Sequence, residues 1–339
     1  MRSPIFEQAT DSDLPLFVFY FFFLFIFFFF SFDRQLRDLV SCPNTRKEFY
    51  FVNQNNVHGY NTDTQTTTTV LKDLTYSPTS MTTGEGYIAA GGQRSQLTVR
   101  QLATNWFAQA TVGGSINNAM TISAYHNQAR LLICNNDETI KVYSLPSLQR
   151  ITSISLPTAV NYCSVSPDGR KLCAVGDSNQ VFLYDVGPGG SYQRVQSLTA
   201  VSDACFSCAW NQSSDKFAVA TQDGFACVWD IRSTEKVAKL PTKQNPQVKG
   251  AARSIKFSPS GSIDLLLFSE HVSYVNLVDA RTFNECQSIR VAPPHCDQHI
   301  SGVSYSPDSK SIFVGLETTV LEYDVDTMSR RSFPEGSII

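Results

Sequence analysis

Asn161–Val186 reads NYCSVSPDGRKLCAVGDSNQVFLYDV, and Ala204–Ile231 reads ACFSCAWNQSSDKFAVATQDGFACVWDI. Both stretches follow one plan. A β-rich run ends at a polar turn, a strand of small apolar residues follows, and after a second polar turn a third strand closes on an aromatic residue and an aspartate. Ser254–Ala280 and Ser301–Val325 repeat this plan clearly, and Leu71–Leu102 and Ala119–Leu145 repeat it weakly. Anchored on Ser77, Tyr125, Ser166, Asn211, Ser258 and Ser306, the units succeed one another at 48, 41, 45, 47 and 48 residues. That period suits a four-stranded propeller blade of roughly 40–45 residues with slightly longer loops. Within a unit the side chains alternate with period two, as in Val181-Phe182-Leu183-Tyr184-Asp185, so one face of each strand can pack on the next blade. Asp168-Gly169 and Asp223-Gly224 supply the positive φ that tight hairpins need. No stretch sustains the three-and-four spacing of helical repeats. The expected fold is an all-β propeller with six detectable repeats and seven blades.

The ends of the third strands carry a family resemblance. Trp229-Asp230 is a literal Trp-Asp pair, and Tyr184-Asp185, Val278-Asp279 and Tyr323-Asp324 are variants of it. Over about 270 residues the chain resembles the WD-repeat family. It departs from that family in having no Gly-His pair ahead of any unit, so blade stability is expected to lean on apolar burial, at roughly 25 cal/mol per Å². The fifth unit is more specific. Asp264-Leu265-Leu266, then Phe268-Ser269-Glu270-His271, then Val278-Asp279-Ala280-Arg281 are similar to a short Asp-Leu-Leu domain of unknown function found in a group of fungal WD-like proteins. This resemblance implies a protein-binding role, and the group includes a substrate-recognition subunit of the GID ubiquitin ligase, which reads protein N-termini.

Ring closure and the N-terminus are read separately. Glu48–Tyr60 (EFYFVNQNNVHGY) has the form of a hairpin around residues 53–56. It is expected to pair with strands after Met328, so that the last blade mixes both chain ends and leaves no open edge. The propeller is accordingly assigned to residues 41–339 and an apolar segment to residues 1–40. Leu16–Phe30 is unbroken apolar or aromatic sequence, and eleven of the 24 phenylalanines fall between Phe17 and Phe32. Three readings are open: a membrane anchor that tethers a cytosolic scaffold, a signal peptide, or a translated pyrimidine-rich tract arising from a gene-model artefact. The run is short of the ~20 residues of a spanning helix, and Glu7, Asp11 and Asp13 precede it where a signal peptide carries basic residues.

Catalytic chemistry finds no foothold. The sequence contains no Gly-x-Ser-x-Gly elbow, no phosphate-binding Walker loop and no His-Glu-x-x-His pair. Gly187-Pro188-Gly189-Gly190 opens no helix and reads as a blade hairpin. His295-Cys296-Asp297-Gln298-His299 lacks a second group of ligands. The nine cysteines are an odd number set mostly in apolar runs, as suits free thiols in a reducing compartment, cytoplasmic or also nuclear. Cys205 and Cys208 are three apart in a strand, which is expected to point them to opposite faces. A net charge of −3 with dispersed basic residues excludes a nucleic-acid stripe. Neither a cofactor, a metal nor a small-molecule substrate is expected. A metal-dependent propeller hydrolase is the catalytic alternative, and it needs a ring of inward acids or histidines that the repeats do not supply.

Partners are therefore expected to be proteins or peptide segments. In a propeller the turns between the second and third strands share one rim with the inter-blade loops. Here those turns hold Arg94, Asp137, Asp177, Asp223, Glu270, His271 and Glu317. Their acidic balance favours a partner presenting an amine or a basic segment. Glu270-His271 is the preferred pair because it lies in the motif-like fifth unit, beside Asp264, Leu265 and Leu266.

Overall fold

The computed structural model describes residues 18–26, 38–244 and 250–326. Among them the strands form seven four-stranded antiparallel sheets. Blade I is Val40–Thr45, Glu48–Asn53, Asn56–Asn61 and Thr66–Leu71; blade II is Ser80–Gly84, Tyr87–Gly91, Gln96–Gln101 and Phe107–Thr111. Blade III is Asn117–Tyr125, Gln128–Asn135, Thr139–Ser144 and Arg150–Ser155; blade IV is Val160–Val165, Lys171–Gly176, Gln180–Val186 and Tyr192–Thr199. Blade V is Cys205–Trp210, Lys216–Thr221, Phe225–Asp230 and Lys236–Pro241; blade VI is Ala252–Phe257, Leu265–Glu270, Tyr274–Asp279 and Cys286–Arg290. Blade VII takes Gly302–Tyr305, Ser311–Gly315 and Thr319–Val325, and its fourth strand is Val18–Ile26, antiparallel to Thr319–Val325.

Strands are lettered a to d from the channel outward. Each strand a contacts the strand a of the next blade, and Gly302–Tyr305 of blade VII returns to Val40–Thr45 of blade I, so the ring closes. Apolar clusters fill every gap between blades. Leu132, Cys134, Leu172, Phe182, Phe217 and Trp229 belong to the largest, which joins blades III, IV and V. At the closure Phe49 of blade I meets Phe313 of blade VII with ring centroids 5.0 Å apart. Trp229 is fully buried and stacks on Phe217 at 5.4 Å, so the literal Trp-Asp pair serves as packing.

The turns explain why the repeat was legible. Between strands a and b of blade IV, Ser166 Oγ accepts from the Lys171 N–H at 2.9 Å and donates to Asp168 at 2.5 Å. Ser306 does the same with Ser311 and Asp308 in blade VII. Ser77 is the misplaced anchor: it precedes strand a of blade II, whose a–b turn is Glu85-Gly86.

Two closure expectations are corrected. The Glu48–Tyr60 hairpin does not pair with the C-terminal end; its strands are the two middle strands of blade I, between Val40–Thr45 and Thr66–Leu71. The last blade does mix both ends of the chain, but through Val18–Ile26, which pairs as a strand with Thr319–Val325. No helix among the described residues is long and apolar enough to cross a membrane. Residues after Asp326 lie outside the described residues.

Candidate functional site

Antiparallel order puts all b–c turns and all blade-to-blade connections on one face, here the upper face. Every strand a begins there. In four consecutive blades a β-bulge inserts one extra residue near that beginning: Asn118 in blade III, Asn161 in IV, Phe206 in V and Arg253 in VI. A bulge re-aims its side chain and is common at functional rims. Asn118 and Asn161 act as inter-blade ties. Their Nδ2 groups donate to the first carbonyl of the next blade, Val160 O at 2.9 Å and Cys205 O at 3.1 Å. Each also reaches its own b–c turn, at Asn136 and Asp177 respectively. In blades V and VI the tie is absent, and the Arg253 guanidinium lies over the Phe206 ring, 4.1 Å from its centroid.

Below this pair the channel is crossed by side chains. Asp38, just ahead of blade I, accepts from Ser254 Oγ at 3.0 Å and pairs with Lys256 Nζ at 2.9 Å. Lys256 Nζ also bonds Tyr162 Oη of blade IV at 2.6 Å. Gly302 permits the approach: a Cβ there would stand 2.9 Å from Leu39 N and 3.1 Å from Asp38 Cα. Burial raises the Asp38 carboxyl, but the Lys256 charge and the hydrogen bonds from Lys256, Tyr162 and Ser254 outweigh it and hold the pKa below its ordinary value. Burial, and then the Asp38 charge, push the Tyr162 hydroxyl well up.

The seven expected rim residues all belong to the upper face, in different states. Arg94, Asp137, Asp177 and Glu317 are exposed and Asp223 is half-buried. Asp137 is neutralised by Lys141 at 2.6 Å. Asp177 accepts from Asn161 at 2.7 Å, Asp223 from Thr221 and Ser202 at 2.5 and 2.8 Å, and Glu317 from the His299 N–H at 3.1 Å. His271 stands against His299 with ring centroids 4.7 Å apart, so the structure brings His271 and Glu317 near one another. Glu270 corrects the expectation of an open turn. It ends strand b, is 0% exposed, and accepts from the Lys243 and Gln244 N–H groups and from Asn276 Nδ2. It pins the V–VI connection and is out of a partner's reach. Burial raises its carboxyl against those three hydrogen bonds. Leu265 and Leu266 are fully buried and Asp264 is exposed at the head of strand b, so the motif is a packing element of blade VI.

Sequence reasoning missed Asp38, Tyr162, Phe206, Arg253 and Lys256. One signal was available. Cys205 and Cys208, three apart, lie in the same core cluster, because the bulge at Phe206 breaks the alternation that was expected to send them to opposite faces. Among the described residues none of the nine cysteines forms a disulfide, and no three His, Cys, Asp or Glu side chains gather so as to hold a metal ion.

Comparisons with known proteins fall onto this geometry blade by blade. A profile described as "WD domain, G-beta repeat" matches residues 192–230, which are strand d of blade IV and strands a to c of blade V. A profile described as "Uncharacterised protein domain (DUF2415)" matches residues 250–290, the whole of blade VI. Uncharacterized protein C4G3.03 of Schizosaccharomyces pombe is 32% identical over 318 residues, covering 90% of this chain and 91% of that protein. The chain belongs to this DUF2415-bearing WD-repeat family. Uncharacterized protein YLR149C of Saccharomyces cerevisiae is 26% identical over 218 residues, 53% of this chain and 30% of that protein. WD repeat-containing protein 1 of Xenopus tropicalis is 23% identical over 237 residues, 67% of this chain and 37% of that protein. In this WD-repeat protein, then, the family-specific domain is one propeller blade, and it supplies Arg253, Ser254 and Lys256 to the channel mouth.

Proposed function

We propose that this WD-repeat protein is a non-catalytic interaction module whose upper face receives a segment of a protein partner, and that its specific form is the substrate-recognition subunit of a GID-type ubiquitin ligase acting in the cytoplasm or nucleus. The observation that carries the docking reading is the channel mouth. Asp38, Lys256 and Tyr162 close it with a bonded floor, so a visiting chain meets a shallow, chemically varied surface instead of a through-passage. Around that floor the acids Asp177, Asp223 and Glu317 have no cation paired with them among the described residues, which favours an amine or a basic segment in the partner. An open cleft of about 570 Å³ on the same face, lined by Gln54, Asn55, Asp73 and Ser77 among others, extends the docking area over blade I. The ligase role rests on the Asp-Leu-Leu resemblance, which the blade VI match supports at the level of the domain.

The test is proximity labelling with affinity purification from the native host. The full chain is compared with a variant carrying Asp177→Asn, Asp223→Asn and Glu317→Gln, which keeps one acceptor oxygen at each position and removes charge. Ubiquitin-ligase subunits are expected with both forms, and substrates with the wild type alone. Recovery of the same proteins by both would remove the acidic rim from the site, and absence of ligase subunits from both would end the receptor reading.

A further inference from the structure

The bulge position distinguishes blade VI from its neighbours by charge as well as by shape. The other arginines of blades V and VI are paired: Arg232 with Asp230 at 2.6 Å, Arg281 with Asp279 at 3.1 Å and Arg290 with Asp297 at 3.2 Å. Arg253 has no carboxylate partner among the described residues, and its Nε is buried without a hydrogen bond. The carboxylate beneath this position, Asp38, is committed to Lys256, Ser254 and Tyr162. Asn in the same place in blades III and IV satisfies the neighbouring carbonyl, so blade VI gives up an inter-blade tie and holds a bare cation over an aromatic ring.

We propose that Arg253, backed by Phe206 at the upper mouth of the channel, is the receptor for a carboxylate carried by the docked segment of the partner. This rests on the reading of the upper face as the docking face. A guanidinium presents a planar fork of N–H donors that matches the two oxygens of a carboxylate, and an aromatic ring beneath it fixes its position at little entropic cost. Burial alone lowers the Arg253 pKa to about 10, with no anion acting in the other direction, and a bound carboxylate supplies that missing counter-charge. The partner's segment then carries its acidic group toward blade VI and its amine or basic groups toward Asp177 and Asp223 in blades IV and V.

The experiment screens the full chain against two immobilised random heptapeptide libraries, one with amidated C-termini and one with free C-terminal acids. Wild type, Arg253→Gln and Arg253→Lys are compared at equal concentration, after thermal midpoints show that the variants fold. Wild type is expected to enrich Asp or Glu at one position in the amidated library, or a free terminus in the other, and the two arms tell the side chain from the chain end. Arg253→Gln should lose that preference, with binding of the selected peptides weakened about tenfold to a hundredfold, while preferences for basic residues at other positions persist. Arg253→Lys should restore only part of it, because an ammonium lacks the fork. Enrichment of peptides without any acidic or terminal preference, or an acidic preference that survives Arg253→Gln, would overturn the carboxylate assignment and leave the docking face standing. No enrichment in either library would sink the docking face itself, and this assignment with it.

Discussion

Glu270 is a buried acid of the upper face and Asp38 a partly buried one in the channel beneath it, and their environments drive them in opposite directions. Glu270 accepts two backbone N–H groups of the V–VI connection. Glu270→Ala leaves those donors unpaired and should cost about 1–3 kcal/mol, seen as a lowered urea midpoint, while Glu270→Gln keeps one acceptor oxygen and should cost less. Equal midpoints for wild type and Glu270→Ala would contradict the pinning role. Because burial raises the Glu270 carboxyl, its favourable contribution is present at low pH and is lost as pH rises through the raised value. Asp38 has the reverse sign. Its carboxyl is held below the ordinary value of 3.8, so its contribution is full above that value and is lost as pH falls through the lower folded one. Asp38→Asn should destabilise by less than the roughly 3–5 kcal/mol of a fully buried pair, since the Lys256 side chain is 28% exposed. The gap between mutant and wild type should close below about pH 3.8. A gap that stayed undiminished well below that point would show that Lys256 does not depend on the Asp38 charge. Neither environment was readable from sequence. Glu270-His271 stands where neighbouring units carry turn residues, and Asp38 reaches blade VI only because Gly302 lets the backbone pass.

At the scale of the strand and the blade, legibility followed the turn chemistry. Blades IV to VII were found through the Ser166, Asn211, Ser258 and Ser306 turns, whose side chains bond their own backbone or a neighbouring carboxylate. Of blade I only the middle hairpin, Glu48–Tyr60, is legible, because Val40–Thr45 contains Pro43 and Thr66–Leu71 is a threonine run that is exposed along most of its length. Neither has the small-apolar signature of the later repeats. The bulges escaped for a different reason. An extra residue in one strand is a property of register with its partner, and a single strand read alone looks regular apart from a slipped alternation. Asn161 shows what such a residue does for the blade. Asn161→Ala should strand the Cys205 carbonyl and loosen the Asp177 turn, at a cost of about 1–3 kcal/mol. The urea slope should be unchanged, because the surface exposed on unfolding is nearly the same. A wild-type midpoint for this variant would mean that the IV–V contact is held by apolar packing alone.

The ring as a whole depends on a strand whose sequence pointed elsewhere. A continuous apolar run does not distinguish a buried strand from part of a helix by periodicity, so Leu16–Phe30 taken alone admits an anchor, a signal peptide or an artefact. The partner that reveals it, Thr319–Val325, lies about 300 residues away. Without Val18–Ile26, Thr319–Val325 becomes an open edge with a row of unpaired backbone groups, which invites pairing with a second copy. Deleting Val18–Ile26 is therefore expected to lower the thermal midpoint and to produce oligomers in sedimentation velocity. Deleting residues 40–62 removes three of the four strands of blade I and the Phe49–Phe313 contact, and should abolish the cooperative transition altogether. The two deletions separate closure by the outer strand from closure by the inner ring. If loss of Val18–Ile26 left both midpoint and mass unchanged, the contact of Val40–Thr45 with Gly302–Tyr305 would have to hold the seven blades together by itself.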